Sequence, residues 1–454
     1  MHTLLPLLLL MLLSVVCAAR PNIVLIMTDD QGWGDVGYNG HPELKTPHLD
    51  ELARTGLRLD RFYAAHYNCS PTRGSVMTGR HPTRYGTLDA AMPFKVEELT
   101  VAEVLRDAGY ATGHFGKWHL AGTQVGQPLT ADLETSPGNC GFDEWVSASN
   151  YFDLDPILFR QGRPEQFKGE GSDVTTSEAI KFIQRQARDR RDFLAVVWFG
   201  SPPTPLESLP ADRAQYRHKP LKIQHYYAEL TAVDRSVGRL REALRQAGVA
   251  DDTILWFCSD NGPWQMGPIS SGGLRGEKGT FFEGGIRVPG LVEWPARIRK
   301  PRTSMFPSST LDIFPTVLAA AGVTPKHPIE PLDGINLLPL FDGRMERRSK
   351  PMPYWDALAK HGSKGRKIEE VGLQPGHTVW FDWPFKLHRN AVIDRAHRGS
   401  DKLPPVLLYN IETDPKETND LSAQEPERTQ RMIAELERWM ESVQRSIAGH
   451  DYRK

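Results

Sequence analysis

Four short runs of β-branched and other apolar residues constrain this chain more than anything else in it. Pro21 to Met27 (PNIVLIM), Ala111 to Phe115, Phe193 to Phe199 (FLAVVWF) and Thr253 to Cys258 (TILWFC) each read as a strand buried on both faces. Longer stretches between them, Thr46 to Gly56, Thr100 to Ala108, Val174 to Arg188 and Lys222 to Ala247, read as helices, several stopped by glycine. A strand buried on both faces needs a layer on each side of it. The alternation therefore predicts an α/β fold, a mostly parallel central sheet flanked by helices. From about Pro351 the texture changes. A basic stretch at Lys360 to Lys367 precedes two strand-like runs, Val379 to Leu387 and Val406 to Ile411. An amphipathic helix comes next, over about Glu425 to Ser446, with Met432, Leu436, Trp439 and Met440 on one face. The expected organisation is a leader over 1–19, a main domain over 20–350 and a smaller α+β domain over 351–454.

The leader is read from Leu4 to Val16, an almost unbroken apolar run closed by the small residues Cys17-Ala18-Ala19. That is the pattern of a secretory signal peptide and is too short for a membrane span. Cleavage after Ala19 starts the mature chain at Arg20. Lipid attachment at Cys17 is the alternative, although Val16 is not the small residue such a site prefers. The expectation is an exported protein, periplasmic or secreted, with no stable membrane span in the mature chain.

Export makes the cysteines informative. Cys69, Cys140 and Cys258 remain after the leader, an odd and sparse set that cannot be a disulfide scaffold. At most one bridge can form, and each cysteine is otherwise a small buried hydrophobe. Charge adds a second constraint. With 55 Lys+Arg against 56 Asp+Glu, the formal net charge of −1 gives no global attraction for nucleic acid or an anionic surface. Any anionic substrate has to be met by a local group of cations.

In open α/β sheets ligands bind beyond the carboxyl ends of the strands, which singles out the residues just after each run. Thr28-Asp29-Asp30 stands after the first, Gly116-Lys117-Trp118-His119 after the second and Ser259-Asp260-Asn261-Gly262 after the fourth. Adjacent carboxylates at a strand exit repel one another, and a hard divalent cation relieves this by taking oxygen ligands from both. Asp29 and Asp30, with Asp260 and the amide of Asn261, offer such an oxygen-rich set. Each segment alone reads more readily as a solvated turn or cap, and it is the two together that make a cation site. Ligand type favours Ca²⁺ or Mg²⁺ over zinc, since no His/Cys cluster of zinc spacing accompanies them. In the segment Asn68 to Arg80, Ser70 is a candidate cap and Pro71 suits a first helical position. Cys69 then sits just before a helix that Gly79 ends. The free N–H groups of that helix start, together with Arg73, favour an anion beside Cys69.

Cys69-x-Pro71-x-Arg73 followed by Thr78-Gly79-Arg80 resembles the signature of the type I sulfatases, arylsulfatase-like members of the alkaline-phosphatase-like superfamily. Other segments match in order: Asp29-Asp30, Gly-Lys-Trp-His-Leu at 116–120, Gly-Phe-Asp-Glu-Trp at 141–145 and Ser-Asp-Asn-Gly at 259–262. The block Leu274 to Pro289 and the tail residues Leu408-Tyr409-Asn410, Asp414-Pro415 and Glu417-Thr418 match as well, so the resemblance spans nearly the whole mature chain. It implies that Cys69 is oxidised to formylglycine by a formylglycine-generating or sulfatase-maturing enzyme, and that the hydrate is the nucleophile. It also implies a Ca²⁺ held by Asp29, Asp30, Asp260, Asn261 and the modified Cys69. Arg73 and Lys117 would stabilise the ionised hydroxyl, and Lys117 and Lys278 would bind the sulfate. Asp260 would act as base, and His119 would take the proton that expels sulfate. The implied substrate is a small-molecule or oligosaccharide sulfate ester, a sulfated carbohydrate or aryl sulfate.

One position departs from that pattern. The family commonly carries a histidine in Pro-His-x-Pro after the FLAVVWF-type strand, whereas this chain has Pro202-Pro203-Thr204-Pro205. Proline has no proton for the leaving alcohol. Either Lys278 alone is the acid, or His218 or His225 reaches in, or the substrate has a good leaving group. The departure motivates one rival reading, a sulfoglycan-binding protein without turnover; phosphate-ester hydrolysis on the same fold is a second. Specificity is expected from loops 123–170, 201–222, 263–272 and 355–377. There Tyr151, Phe152, Trp264 and Trp355 serve either as sugar-stacking or as packing residues.

Overall fold

In the computed structural model, residues 20–151, 154–202, 205–357, 373–392 and 403–452 are described. The leader, Phe152, Pro203 and the basic stretch at Lys360 to Lys367 lie outside them. Among the described residues, no helix is long and apolar enough to cross a membrane.

The apolar runs form the centre of a ten-stranded sheet. Its parallel core consists of β1 (Asn22–Thr28), β2 (Ala111–Lys117), β3 (Glu144–Ala148), β4 (Phe193–Trp198) and β5 (Thr253–Ser259). They lie in the order β5-β1-β4-β2-β3. The margins are antiparallel where they meet this core, through Gly290–Glu293 beside β5 and Ile157–Arg160 beside β3. The sheet thus has the expected parallel centre, with antiparallel pairs added outside it. These flanking strands are short, and they carry no long apolar run for a sequence reading to detect.

Side-chain alternation along β1 explains why both faces are covered. Ile23, Leu25 and Met27 join a core with Val76 and Met77 of α2 (Cys69–Thr78), Leu105 of α3 (Val101–Asp107) and Val317 of Ile313–Ala321. Val24 and Ile26 face the opposite way, against Leu52 of α1 (Pro47–Thr55), Phe182 of α4 (Gly171–Arg188) and Val237 of α5 (Leu221–Gln246).

A second, four-stranded antiparallel sheet comes later in the chain: β6 (Met352–Trp355), β7 (Thr378–Asp382), β8 (Phe385–Arg389) and β9 (Val406–Asn410). The run Val379 to Leu387, read as one strand, is two. Trp383 and Pro384 form the turn between the paired Asp382 and Phe385, and proline has no N–H for a ladder interior. One face of this sheet packs Trp380, Leu387 and Leu408 against Met432, Leu436 and Val443 of the helix Pro426–Ile447. The other face packs Val379, Phe381 and Leu407 against Phe281 and Phe282 of the large sheet's unit.

Candidate active site

Strand register assembles the site. β1 pairs with β5 so that Thr28 lies beside Ser259, and the next residues, Asp29 and Asp260, emerge together at the carboxyl edge. Asp260 N donates to Thr28 O at 3.1 Å, and Asp30 N donates to Asp260 Oδ1 at 3.1 Å. Asp30 takes a left-handed backbone conformation, φ +56°, which turns its carboxylate back beside that of Asp29. Lys117 is the last residue of β2. Its Nζ donates to Asp29 Oδ2 at 2.6 Å, with both side chains buried.

The third contribution comes from α2. Its cap is Asn68, whose side chain accepts from Cys69 N at 3.1 Å, so Cys69 is the first helical residue. This corrects the expectation that Ser70 caps it. The Ser70 hydroxyl donates instead to His119 O at 2.6 Å and ties the helix start to the turn after β2. Gly79, φ +69°, closes the helix as expected. Cys69 Sγ lies 3.3 Å from Asp29 Oδ1 and 3.4 Å from Lys278 Nζ. Lys278 also donates to Asp30 Oδ1. About one turn further along α2, Arg73 binds Asp260 Oδ2 through Nε and Nη2 and lies 5.3 Å above the ring of Trp198.

Burial and crowding of charge set the protonation of these groups. Burial raises the Asp29 carboxyl, but Lys117, Lys278 and Arg73 together pull it well below the usual carboxylate range. Burial and the charge of Asp29 push Asp260 up, against Arg73 and Lys117. Burial also raises Asp30, opposed by Lys278. Burial and Asp29 hold Cys69 well above an ordinary thiol, so as cysteine it is a weak nucleophile. Burial and Lys117 hold His119 neutral, well below an ordinary histidine, with Nδ1 buried and without a partner.

The donor set fits a hard cation. One atom each from Asp29, Asp30, Cys69 and Asp260 lies within 4.8 Å of the others. The Oδ1 of Asn261 is buried and accepts no hydrogen bond, while its Nδ2 is spent on Asp30 Oδ1 at 2.7 Å and Gly262 O at 3.0 Å. A buried oxygen left without a donor is costly unless something positive meets it.

All nine sequence-derived site residues, Asp29, Asp30, Cys69, Arg73, Lys117, His119, Asp260, Asn261 and Lys278, belong to this one cluster. The substitute acids do not. His218 is exposed, 3.8 Å from Glu43, and His225 is engaged by Ser208 Oγ and Arg213. Of the loop aromatics, Tyr151 is buried with its hydroxyl on Thr175, and Trp355 is buried with its indole N–H on Gln374 O, so both are packing residues. Trp264 stays half-buried. Sequence reasoning missed Asn68, which its rank among N-cap residues could have signalled, and Trp198, which had no local signal. Cys69, Cys140 and Cys258 are all unbridged and buried.

A doubly covered α/β sheet with this anion-receptive cluster at its carboxyl edge places the chain in the alkaline-phosphatase-like class of ester hydrolases. The sequence model of the sulfatase family matches residues 21–323. Human N-acetylgalactosamine-6-sulfatase is 34% identical over 367 residues, 72% of this chain and 67% of that protein. Human arylsulfatase A is 31% identical over 462 residues, 91% of this chain and 86% of that protein. The crystal structure of Ps i-CgsB in complex with k-i-k-neocarrahexaose superposes with a TM-score of 0.78 at 28% identity, covering 93% of each chain. The chain belongs to the sulfatase family and is a sulfuric ester hydrolase.

Proposed function

We propose that this protein is an exported, Ca²⁺-dependent sulfatase that acts on sulfated carbohydrates after Cys69 has been converted to formylglycine by a maturing enzyme. The observation that carries the reading is the arrangement around Cys69: a buried thiol at a helix start, between Asp29 and Lys278, with Arg73 and Lys117 behind it. Export rests on the composition of residues 1–19. The large unit over 20–350 is assigned the chemistry, and the smaller unit over 351–454 its support. The carbohydrate reading draws on the sugar sulfatase among the relatives and on the hexaose held by Ps i-CgsB.

Once Cys69 is converted, its hydrated aldehyde would supply the nucleophilic oxygen and a built-in route for sulfate release, and a bound cation would supply neutralising charge. Asp29, Asp30, Asp260 and Asn261 would hold that cation. Lys117 and Lys278 face the sulfonyl oxygens and neutralise them where charge develops. Arg73, fixed by Asp260, keeps its guanidinium against the reacting oxygen at position 69. Asp260, as the carboxylate that Arg73 fixes, takes a proton there. The neutral imidazole of His119 accepts the second proton, the one whose removal frees sulfate. With His218 and His225 engaged elsewhere, the proton for the leaving oxygen is assigned to Lys278, whose Nζ lies 3.4 Å from Cys69 Sγ.

Sulfate release from a panel of sulfated saccharides and aryl sulfates tests this reading, together with the mass of the Cys69 peptide. The aldehyde mass and turnover that vanishes in Cys69→Ala are expected. Turnover that persists in Cys69→Ala would overturn the mechanism. Equal turnover of matched phosphate esters would favour phosphate-ester hydrolysis, and saturable glycan binding without sulfate release would favour a binding role.

A further inference from the structure

The segment 274–289 meets the site at several points. Lys278 reaches Cys69 and Asp30, and its own N–H donates to Pro263 O at 3.0 Å. Gly262, next to Asn261, donates its N–H to Gly285 O at 2.9 Å, and Gly279 N donates to Tyr67 O at 3.3 Å, two residues before Cys69. The segment is also packed tightly on itself. A side chain at Gly284 would meet Gly276 O at 2.1 Å, and one at Gly285 would meet Thr280 O at 2.1 Å. A displacement at one end is therefore carried to the other, because no slack is available to absorb it.

The far side of this segment is held by the small sheet. Glu283 N donates to Glu417 Oε2 at 2.7 Å, and Arg275 Nη1 donates to Glu417 O at 2.6 Å. Lys386 on β8 lies 3.0 Å from Glu283 Oε1 and 3.1 Å from Glu417 Oε1, and all three side chains are inaccessible to solvent. His388, also on β8, approaches the same Glu417 oxygen at 2.9 Å and stacks on Phe282. Two carboxylates and an ammonium buried together gain little net stability over a well-packed apolar set, since desolvation offsets most of their attraction. Such a cluster does fix direction, because the two Glu417 oxygens face different partners: Oε2 takes Glu283 N, and Oε1 faces Lys386 and His388.

We propose that Glu417 is a positioning residue for sulfate-ester cleavage, setting through Glu283 and the 274–289 segment where Lys278 Nζ sits beside position 69. Glu417 thereby acts on the reaction through Lys278. The inference rests on the sulfatase reading and on Lys278 belonging to its site.

A double-mutant cycle on the matured enzyme tests it, with an activated aryl sulfate as substrate and thermal unfolding recorded for every variant. Glu417→Ala is expected to lower kcat about 10- to 100-fold with KM within about threefold, because misplacement of a reacting group costs rate rather than binding. Glu417→Gln keeps an acceptor for Glu283 N and should stay within about threefold of wild type. In a Lys278→Ala background, adding Glu417→Ala should cost less than about twofold further. Equal losses in both backgrounds, or no loss in either, would overturn the proposal. Should Glu417→Ala not fold, Glu417→Asp, which shortens the reach to Glu283 N, takes its place in the same cycle with the same two outcomes. Absence of sulfate release from the wild-type enzyme would instead overturn the sulfatase reading.

Discussion

Arg73 donates twice to a single oxygen of Asp260, from Nε at 3.0 Å and from Nη2 at 2.6 Å, and neither side chain is exposed. The pair joins a helix to a strand end and leaves the other Asp260 oxygen to face Asp30 N. Arg73→Ala strands a buried carboxylate and is expected to cost about 3–5 kcal/mol of stability together with turnover. Arg73→Lys loses the fork but keeps the charge, so it should fold with a smaller penalty and still turn over poorly. Urea unfolding and sulfate release check both. Wild-type turnover in Arg73→Lys would contradict the role.

Divalent cation should stabilise the fold as well as permit turnover. At a free Ca²⁺ concentration of about 100 times Kd, binding to the native state alone adds about 2.7 kcal/mol. Calorimetry with and without chelator should show that shift in wild type and its loss in Asp30→Asn. A melting temperature indifferent to Ca²⁺ would count against the cation site.

Gly116 sits in β2 immediately before Lys117, with φ +98°, and a Cβ there would fall 2.0 Å from Trp198 O. Gly116→Ala has to strain the backbone and push β2 from β4, at a cost of at least about 2 kcal/mol. Because Lys117 is the next residue, kcat should fall with stability. A variant as stable as wild type would show that the two strands can part at little cost.

Asp234 accepts from Leu49 N at 2.8 Å and His48 N at 3.2 Å, at the start of α1. Burial pushes its carboxyl up to about 7, against those two N–H groups. Between about pH 4 and this value the folded chain keeps a proton that the unfolded chain has released. Stability from this group is therefore full below the window and is lost as pH rises through it. Asp234→Asn cannot ionise, so its stability relative to wild type should climb from about pH 4 to about pH 7 and then level. Urea unfolding across that range measures the difference, and a flat difference would remove Asp234 as the source.

The parallel core was legible because a strand buried on both faces must be apolar throughout, as β1, β4 and β5 are. The site was legible because its residues come directly after those strands, so register brings Asp29 beside Asp260 without any help from loops. The features that escaped were carried by residues with no pattern of their own. Asn68 caps α2 by one hydrogen bond, Trp198 looks like any core aromatic, and the short strand Gly290–Glu293 owes its place to its neighbours rather than to its own sequence. The Glu283–Lys386–Glu417 cluster joins residues of the large unit to residues more than a hundred positions away, and only the packed structure brings them together.

At the centre of the proposed mechanism, position 69 acts as an aldehyde and not as a thiol. Preparations made with increasing amounts of a formylglycine-generating enzyme provide a graded series, in which the converted fraction of the Cys69 peptide is read by mass spectrometry and sulfate release by kcat. Turnover per molecule should rise in direct proportion to the converted fraction and pass through zero where conversion is zero. Substantial turnover in unconverted protein, or none in fully converted protein, would contradict it.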